Sequence, residues 1–90
     1  MLGARRVDRL EKVAHAIGGS ARALALDVTD SASVDAFCDD VPECSLLVNN
    51  AGGALGLSPV AEADEEQWRW MYDANVLGTM RVTRALLPKL

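Results

Sequence analysis

Asn49 and Asn50 stand where the apolar run Leu46, Leu47, Val48 stops, and Ala51, Gly52 and Gly53 follow them. An amide at the end of a buried strand can bridge backbones that have lost their ladder partners, and glycines after it let a flat ligand approach the main chain. The same residues would also make an ordinary Asn-Gly type turn. Arg5 and Arg6 come directly after Leu2-Gly3-Ala4, at the point where a strand gives way to a helical pattern. A guanidinium placed there can hold a phosphate, aided by the positive end of the helix dipole, or it can simply be a solvated basic pair. Asp27 closes the apolar run from Ala23 to Leu26 and is followed by Val28. Its carboxylate could accept a hydrogen bond from an exocyclic amine such as that of adenine, or cap the next turn. Asn75 lies among strong helix formers, where its amide would compete with backbone hydrogen bonds and could kink the helix around a water. Its plainer role is that of a surface asparagine.

The elements that must position these groups follow from periodicity. Leu2 to Ala4 reads as the end of a strand, and Val7, Leu10, Val13, Ala14 and Ile17 trace a helix that Gly18 and Gly19 terminate. Asp8 and Lys12 have the spacing of a helix-surface ion pair. His15 falls on the polar side of that helix, without a triad partner. Residues 21–28 read as a second strand, and Asp30 or Ser31 caps a helix over 31–41 with Val34, Phe37, Cys38 and Val41 on one face. Pro42 ends it. The run Leu46 to Val48 is continuous rather than alternating, the pattern of a strand buried on both faces in a parallel sheet covered by helices. In such sheets ligands collect at the carboxyl ends of the strands. Residues 54–63 carry Gly, Ser and Pro without periodicity and read as a loop. From Asp64, a cap with Gln67 three residues on, the pattern is helical to Leu90, with an interruption near Asn75. Trp68, Trp70 and Tyr72 alternate and cannot share one helix face, so at least one must lie outside the local core.

Composition bounds the rest. At 90 residues, half of them hydrophobic, the chain is one domain at most and short for an α/β fold. A formal charge of −4 without a basic cluster beyond Arg5 and Arg6 argues against nucleic acid as a partner. There is no membrane-length apolar run and no secretory leader pattern after Met1, which makes the expected setting cytoplasmic. Cys38 and Cys44 lack zinc or CxxC spacing and read as reduced structural thiols, with no metal site expected. A phosphoacceptor domain with Asp27 as acceptor would need clustered acids and a downstream lysine that the sequence does not supply.

Taken together, GARRVDRL at 3–10, LALDVTD at 24–30, LLVNNAGGALG at 46–56 and MYDANVLGTMRVTRALLP at 71–88 resemble the short-chain dehydrogenase/reductase family in order and interval. The wording RRxxRL and NNAGxALGxxP is most similar to its NADP-dependent 3-hydroxy acid and serine dehydrogenase group. The resemblance implies a partial doubly wound, Rossmann-like α/β domain over residues 1–90, with the first strand-helix unit and the C-terminal half outside these residues. It implies that Arg5, with Arg6 beside it, meets an adenosine 2′-phosphate and favours NADP over NAD. Asp27 and Val28 would line the adenine pocket. Asn49, Asn50, Ala51 and Gly52 would support the central sheet and pass beside the cofactor ribose, with Asn50 the direct contact. Asn75 matches the family's catalytic asparagine, whose main chain kinks the helix and holds a water of the proton relay. The family's Gly-rich turn would precede Leu2, and its Ser and Tyr-x-x-x-Lys would follow Leu90; Tyr72 is followed four residues later by Val76. The expectation is an internal slice of an oxidoreductase for alcohol or carbonyl substrates, inactive as these 90 residues and homo-oligomeric in its complete form. The alternative is a non-catalytic adenine-nucleotide-binding or interaction remnant.

Overall fold

Gly3 lets a helix press directly onto the sheet: a Cβ there would come within 2.7 Å of the Phe37 ring and 2.8 Å of the Leu26 side chain. The computed structural model describes residues 1–56 and 58–90. Strand β1 (Leu2–Ala4) pairs in parallel with β2 (Ala23–Ala25), Gly3 opposite Leu24 and Ala4 opposite Ala25. Helix α1 (Val7–Ile17) connects them and ends where expected, Gly18 and Gly19 taking positive φ of 74° and 61°. This is the left-handed region that costs glycine least.

Helix α2 (Ser31–Asp39) starts at Asp30, whose carboxylate accepts hydrogen bonds from the backbone of Ala32 and Ser33. After the loop, one 3₁₀ turn (Val60–Glu62) leads to α3 (Glu65–Tyr72), capped by Asp64 through the Glu66 N–H at 2.9 Å. A π-turn (Asp73–Leu77) then joins α3 to α4 (Gly78–Leu86), and a 3₁₀ turn (Leu87–Lys89) follows. The loop expected over 54–63 is thus broken by that single turn, while Leu57 within it lies outside the described residues.

The core occupies one side of the sheet. Leu26 of the β2 end, Val34, Phe37, Cys38 and Val41 of α2 and its exit, and Val82 and Leu86 of α4 form it. Burial pushes the Cys38 thiol up, against the opposing pull of Lys89, so it stays protonated and inert. Lys89 closes this layer by donating to the carbonyls of Cys38 and Val41 at 2.6 and 2.7 Å, in the last turn of α2 and just beyond it. On the other side α1 has no buried residue, and Val13 and Ile17 are exposed.

The strand read from Leu46 to Val48 is not laddered. Leu47 packs against the core, but Leu46 and Val48 are 80% and 73% exposed. In the doubly wound order a further strand separates this segment from the pair formed by β1 and β2. Among the described residues nothing fills that place, so the run has no ladder partner and the burial on both faces does not arise; the Leu46 carbonyl accepts only from the Cys44 thiol at 3.5 Å. Helix boundaries were closer, although α2 stops at Asp39 and β2 is shorter than 21–28. Among the described residues the ion pair at four-residue spacing is Glu65 with Arg69, not Asp8 with Lys12. Trp68 and Tyr72 are more than half exposed, and Trp70 rests against Gly53. No helix among the described residues is long and apolar enough to cross a membrane.

Candidate functional site

The helical pattern interrupted at Asn75 resolves into the π-turn, in which the Gly78 N–H reaches the Asp73 carbonyl five residues back. This widened turn projects the Asn75 amide sideways onto the loop after Asn49. Its Nδ2 donates to the Gly53 carbonyl at 2.8 Å and its Oδ1 accepts from the Gly53 N–H at 2.9 Å. The amide therefore serves Gly53 as a strand neighbour would. Gly52 is required at this approach, since a Cβ there would overlap Asn75 Oδ1. The Thr79 hydroxyl donates to the Asn75 carbonyl at 3.1 Å.

One turn further along α4, Thr83 Oγ1 accepts from Asn49 Nδ2 at 3.1 Å. Asn49 thus ties the segment to a helix rather than to a sheet. Asn50, Ala51 and Gly52 are exposed on the run between the two tethers. Of the four residues expected beside the cofactor, Asn49 is tethered by its own amide, and the other three lie between it and the Gly53 tether.

At the ends of β1 and β2 a second cluster forms. Arg5 follows Ala4 directly, and Asp27 follows two residues after Ala25, its register partner. Arg5 and Arg6 are exposed, and with Ala4, Arg9, Leu10 and Val13 they line an open groove of about 280 Å³. Arg6 precedes the first helical residue without capping it, which leaves the leading N–H groups of α1 without a side-chain acceptor. Asp27 Oδ1 accepts from the Thr29 hydroxyl at 2.7 Å and the Thr29 N–H at 3.0 Å. Those bonds, the hydroxyl first, hold the carboxyl below its ordinary range against the opposing desolvation, with a smaller contribution from the charge of Arg5. The Asp27 N–H donates to Ser33 Oγ at 2.9 Å. Asp27 is therefore the cap of its own turn as well as a strand-end acid.

Val28 connects the two clusters. Its side chain lies against Gly78, where a Cβ would come within 2.6 Å of Cγ2, and its carbonyl accepts from Arg81 Nη1 at 2.8 Å. With this geometry in view, comparison with known proteins is decisive: the family profile described as short chain dehydrogenase matches residues 1–90, the whole chain. The chain belongs to the short-chain dehydrogenase family.

An uncharacterized oxidoreductase of Mycobacterium tuberculosis is 60% identical over 87 residues, which cover 97% of this chain and 34% of that protein. An NADP-dependent 3-hydroxy acid dehydrogenase of Salmonella typhimurium is 38% identical over 88 residues, covering 93% and 36%. Among solved structures, the closed form of serine dehydrogenase complexed with NADP+ superposes with a TM-score of 0.88 at 35% identity, covering 97% of this chain and 37% of that one. The chain thus spans about a third of the length of the short-chain dehydrogenases it matches.

Several residues of this short-chain dehydrogenase segment escaped the sequence reading. Arg9 lines the groove with Arg5 and Arg6, and its position one turn along α1 from Arg5 was the available signal. Thr83, which holds Asn49, carried none. Asp73 and Arg81, joined at 2.6 Å across the π-turn, were invisible because their spacing fits no regular helix.

Proposed function

We propose that this chain forms the adenosine-binding edge and carries the catalytic asparagine of an NADP-dependent oxidoreductase that moves hydride between the nicotinamide and an alcohol or carbonyl carbon. The observation that carries the reading is the placing of Arg5 and Asp27 at the carboxyl ends of neighbouring parallel strands. A cation there suits a ribose 2′-phosphate, and a carboxylate beside it suits the adenine amine. The donor chemistry fits NADP better than NAD, whose free ribose hydroxyl calls for an acid at the Arg5 position. The relatives named for NADP, 3-hydroxy acids and serine support the same cofactor and a small hydroxy acid as substrate class.

When bound, the nicotinamide supplies the hydride chemistry. In this reading Arg5, Arg6 and Arg9 neutralise the phosphate, and Asp27 and Val28 border the adenine. Gly52 and Gly53 let Asn75 and Trp70 close on the main chain of this loop. Asn75 seats that loop, and by its match to the family's catalytic asparagine its main chain would hold a water of the proton path. A Tyr-x-x-x-Lys pair is not among these 90 residues, since Tyr72 is followed by Val76 at the lysine position. The 90 residues alone are therefore expected to bind nucleotide without turning it over.

Titration of 2′,5′-ADP and of 5′-AMP, followed by amide NMR, tests this. The diphosphate is expected to shift resonances near Arg5 and Asp27 and to bind more tightly than 5′-AMP, and Arg5→Ala should remove most of that preference. No shift at those residues, or equal affinity for the two ligands, would sink the NADP reading.

A further inference from the structure

We propose that Arg81 is a positioning residue for Asn75: it bolts the π-turn to the end of β2, and through that bolt the Asn75 amide stays seated on Gly53. Arg81 Nη1 lies 2.6 Å from Asp73 Oδ1 and donates to the Val28 carbonyl at 2.8 Å, with the Asp73 carbonyl at 3.5 Å. One guanidinium nitrogen thus joins the first residue of the π-turn to the strand end, across elements far apart in sequence. The arginine side chain is only 16% exposed.

Asp73 Oδ1 makes the arrangement brittle. That oxygen is buried and has no well-aligned hydrogen bond, so the ionic contact with Arg81 is what compensates it. The Asp73 side chain is 35% exposed, so solvent moderates the loss, but Oδ1 deprived of its cation would still be a buried oxygen without a partner. Without Arg81 the carboxylate would be driven toward water. Asp73 also provides the carbonyl that closes the π-turn through Gly78, so its movement would turn Asn75, two residues on, away from Gly53. On the other side of the bolt, Val28 is pinned between Arg81 and Gly78. Arg81 therefore fixes the distance between the strand end and the Asn75 loop. Its consequence for a nucleotide site rests on the functional reading above, but the coupling does not.

Hydrogen exchange of the Gly53 N–H and the Asn75 Nδ2 resonances in the 90-residue chain provide the test. Arg81→Leu is expected to speed Gly53 exchange on the order of tenfold, the scale of a lost charge-assisted hydrogen bond. It should merge the Asn75 Nδ2 shifts toward those of a free amide, while the Leu26 and Val82 amides stay protected. Adding Asp73→Asn should recover part of the protection, because a neutral amide tolerates the lost cation better. Should Arg81→Leu fail to fold, Arg81→Gln keeps a shorter polar side chain without the cation that faces Asp73, and selective loosening of Gly53 is again expected. Unchanged Gly53 exchange, or equal acceleration at Gly53, Leu26 and Val82, overturns the proposal. Absence of 2′,5′-ADP shifts at Arg5 and Asp27 would instead sink the nucleotide reading and leave this measurement standing.

Discussion

Ala23 to Leu26 and Leu46 to Val48 are both short apolar runs that close on a polar side chain, yet they have different fates in the fold. The first ladders against β1 and ends in the buried Leu26, beneath which Phe37 and Val34 pack. The second carries no ladder and turns Leu46 and Val48 to solvent; it is held by Leu47 against the core and, beyond it, where Asn49 reaches Thr83 and Asn75 reaches Gly53. An apolar run becomes a strand only where a neighbouring backbone answers its N–H and C=O groups. Where none does, side chains of an adjacent helix can answer a few of them, and that is the arrangement around the candidate site.

The largest test of this contrast is in the layer under the first run. Phe37→Ala should cost about 3–5 kcal/mol through the cavity left against Gly3 and Leu26, enough to abolish a cooperative urea transition in so small a domain. Leu46→Ser should change stability by no more than about 0.5 kcal/mol. If the two substitutions cost similar amounts, the runs are energetically alike and the contrast fails.

Smaller, and placed where the two regions meet, is Gly78→Ala. Its Cβ would collide with the Val28 side chain and come within 3.3 Å of the Val28 carbonyl, so a loss of about 1–3 kcal/mol is expected from overpacking. A calorimetric melt at wild-type temperature would show that α4 can slide from the strand end at no cost, contrary to the tight join described.

The smallest effect belongs to the polar end of the first run. Asp27 has a depressed pKa in the folded state because Thr29 donates twice to it, so it contributes stability above the ordinary value of 3.8 that is lost as pH falls through that value and below it. Thr29→Val removes the hydroxyl and should raise the Asp27 pKa in a carboxyl carbon NMR titration, moving the acid end of the stability profile to higher pH. An unchanged titration would assign the depression to something other than Thr29.

Much of the local structure was legible because its causes are local. Asp30 and Asp64 cap helices with the N–H groups two or three residues on, and Gly18 and Gly19 stop α1 by taking a backbone geometry that few other residues tolerate. The interruption at Asn75 could be placed, though not its form as a π-turn. The positions of the candidate site were legible too, through the order of RR, DV, NNAG and Asn75 along the chain. What each side chain would touch was not. Asn49 finds Thr83 and Asn75 finds Gly53 across intervals that no periodicity links.

The sequence alone thus determined the helices, their caps, the family and the candidate residues, since each depends on neighbours a few positions away or on the order of motifs. Only the tertiary structure decided that Leu46 to Val48 finds no ladder partner among the described residues, that Gly78 lies against Val28, and that Arg81 holds Asp73 at the π-turn. Those outcomes depend on which distant backbone or charge is near enough to satisfy a polar group taken from water, and distance in space is not written in distance along the chain.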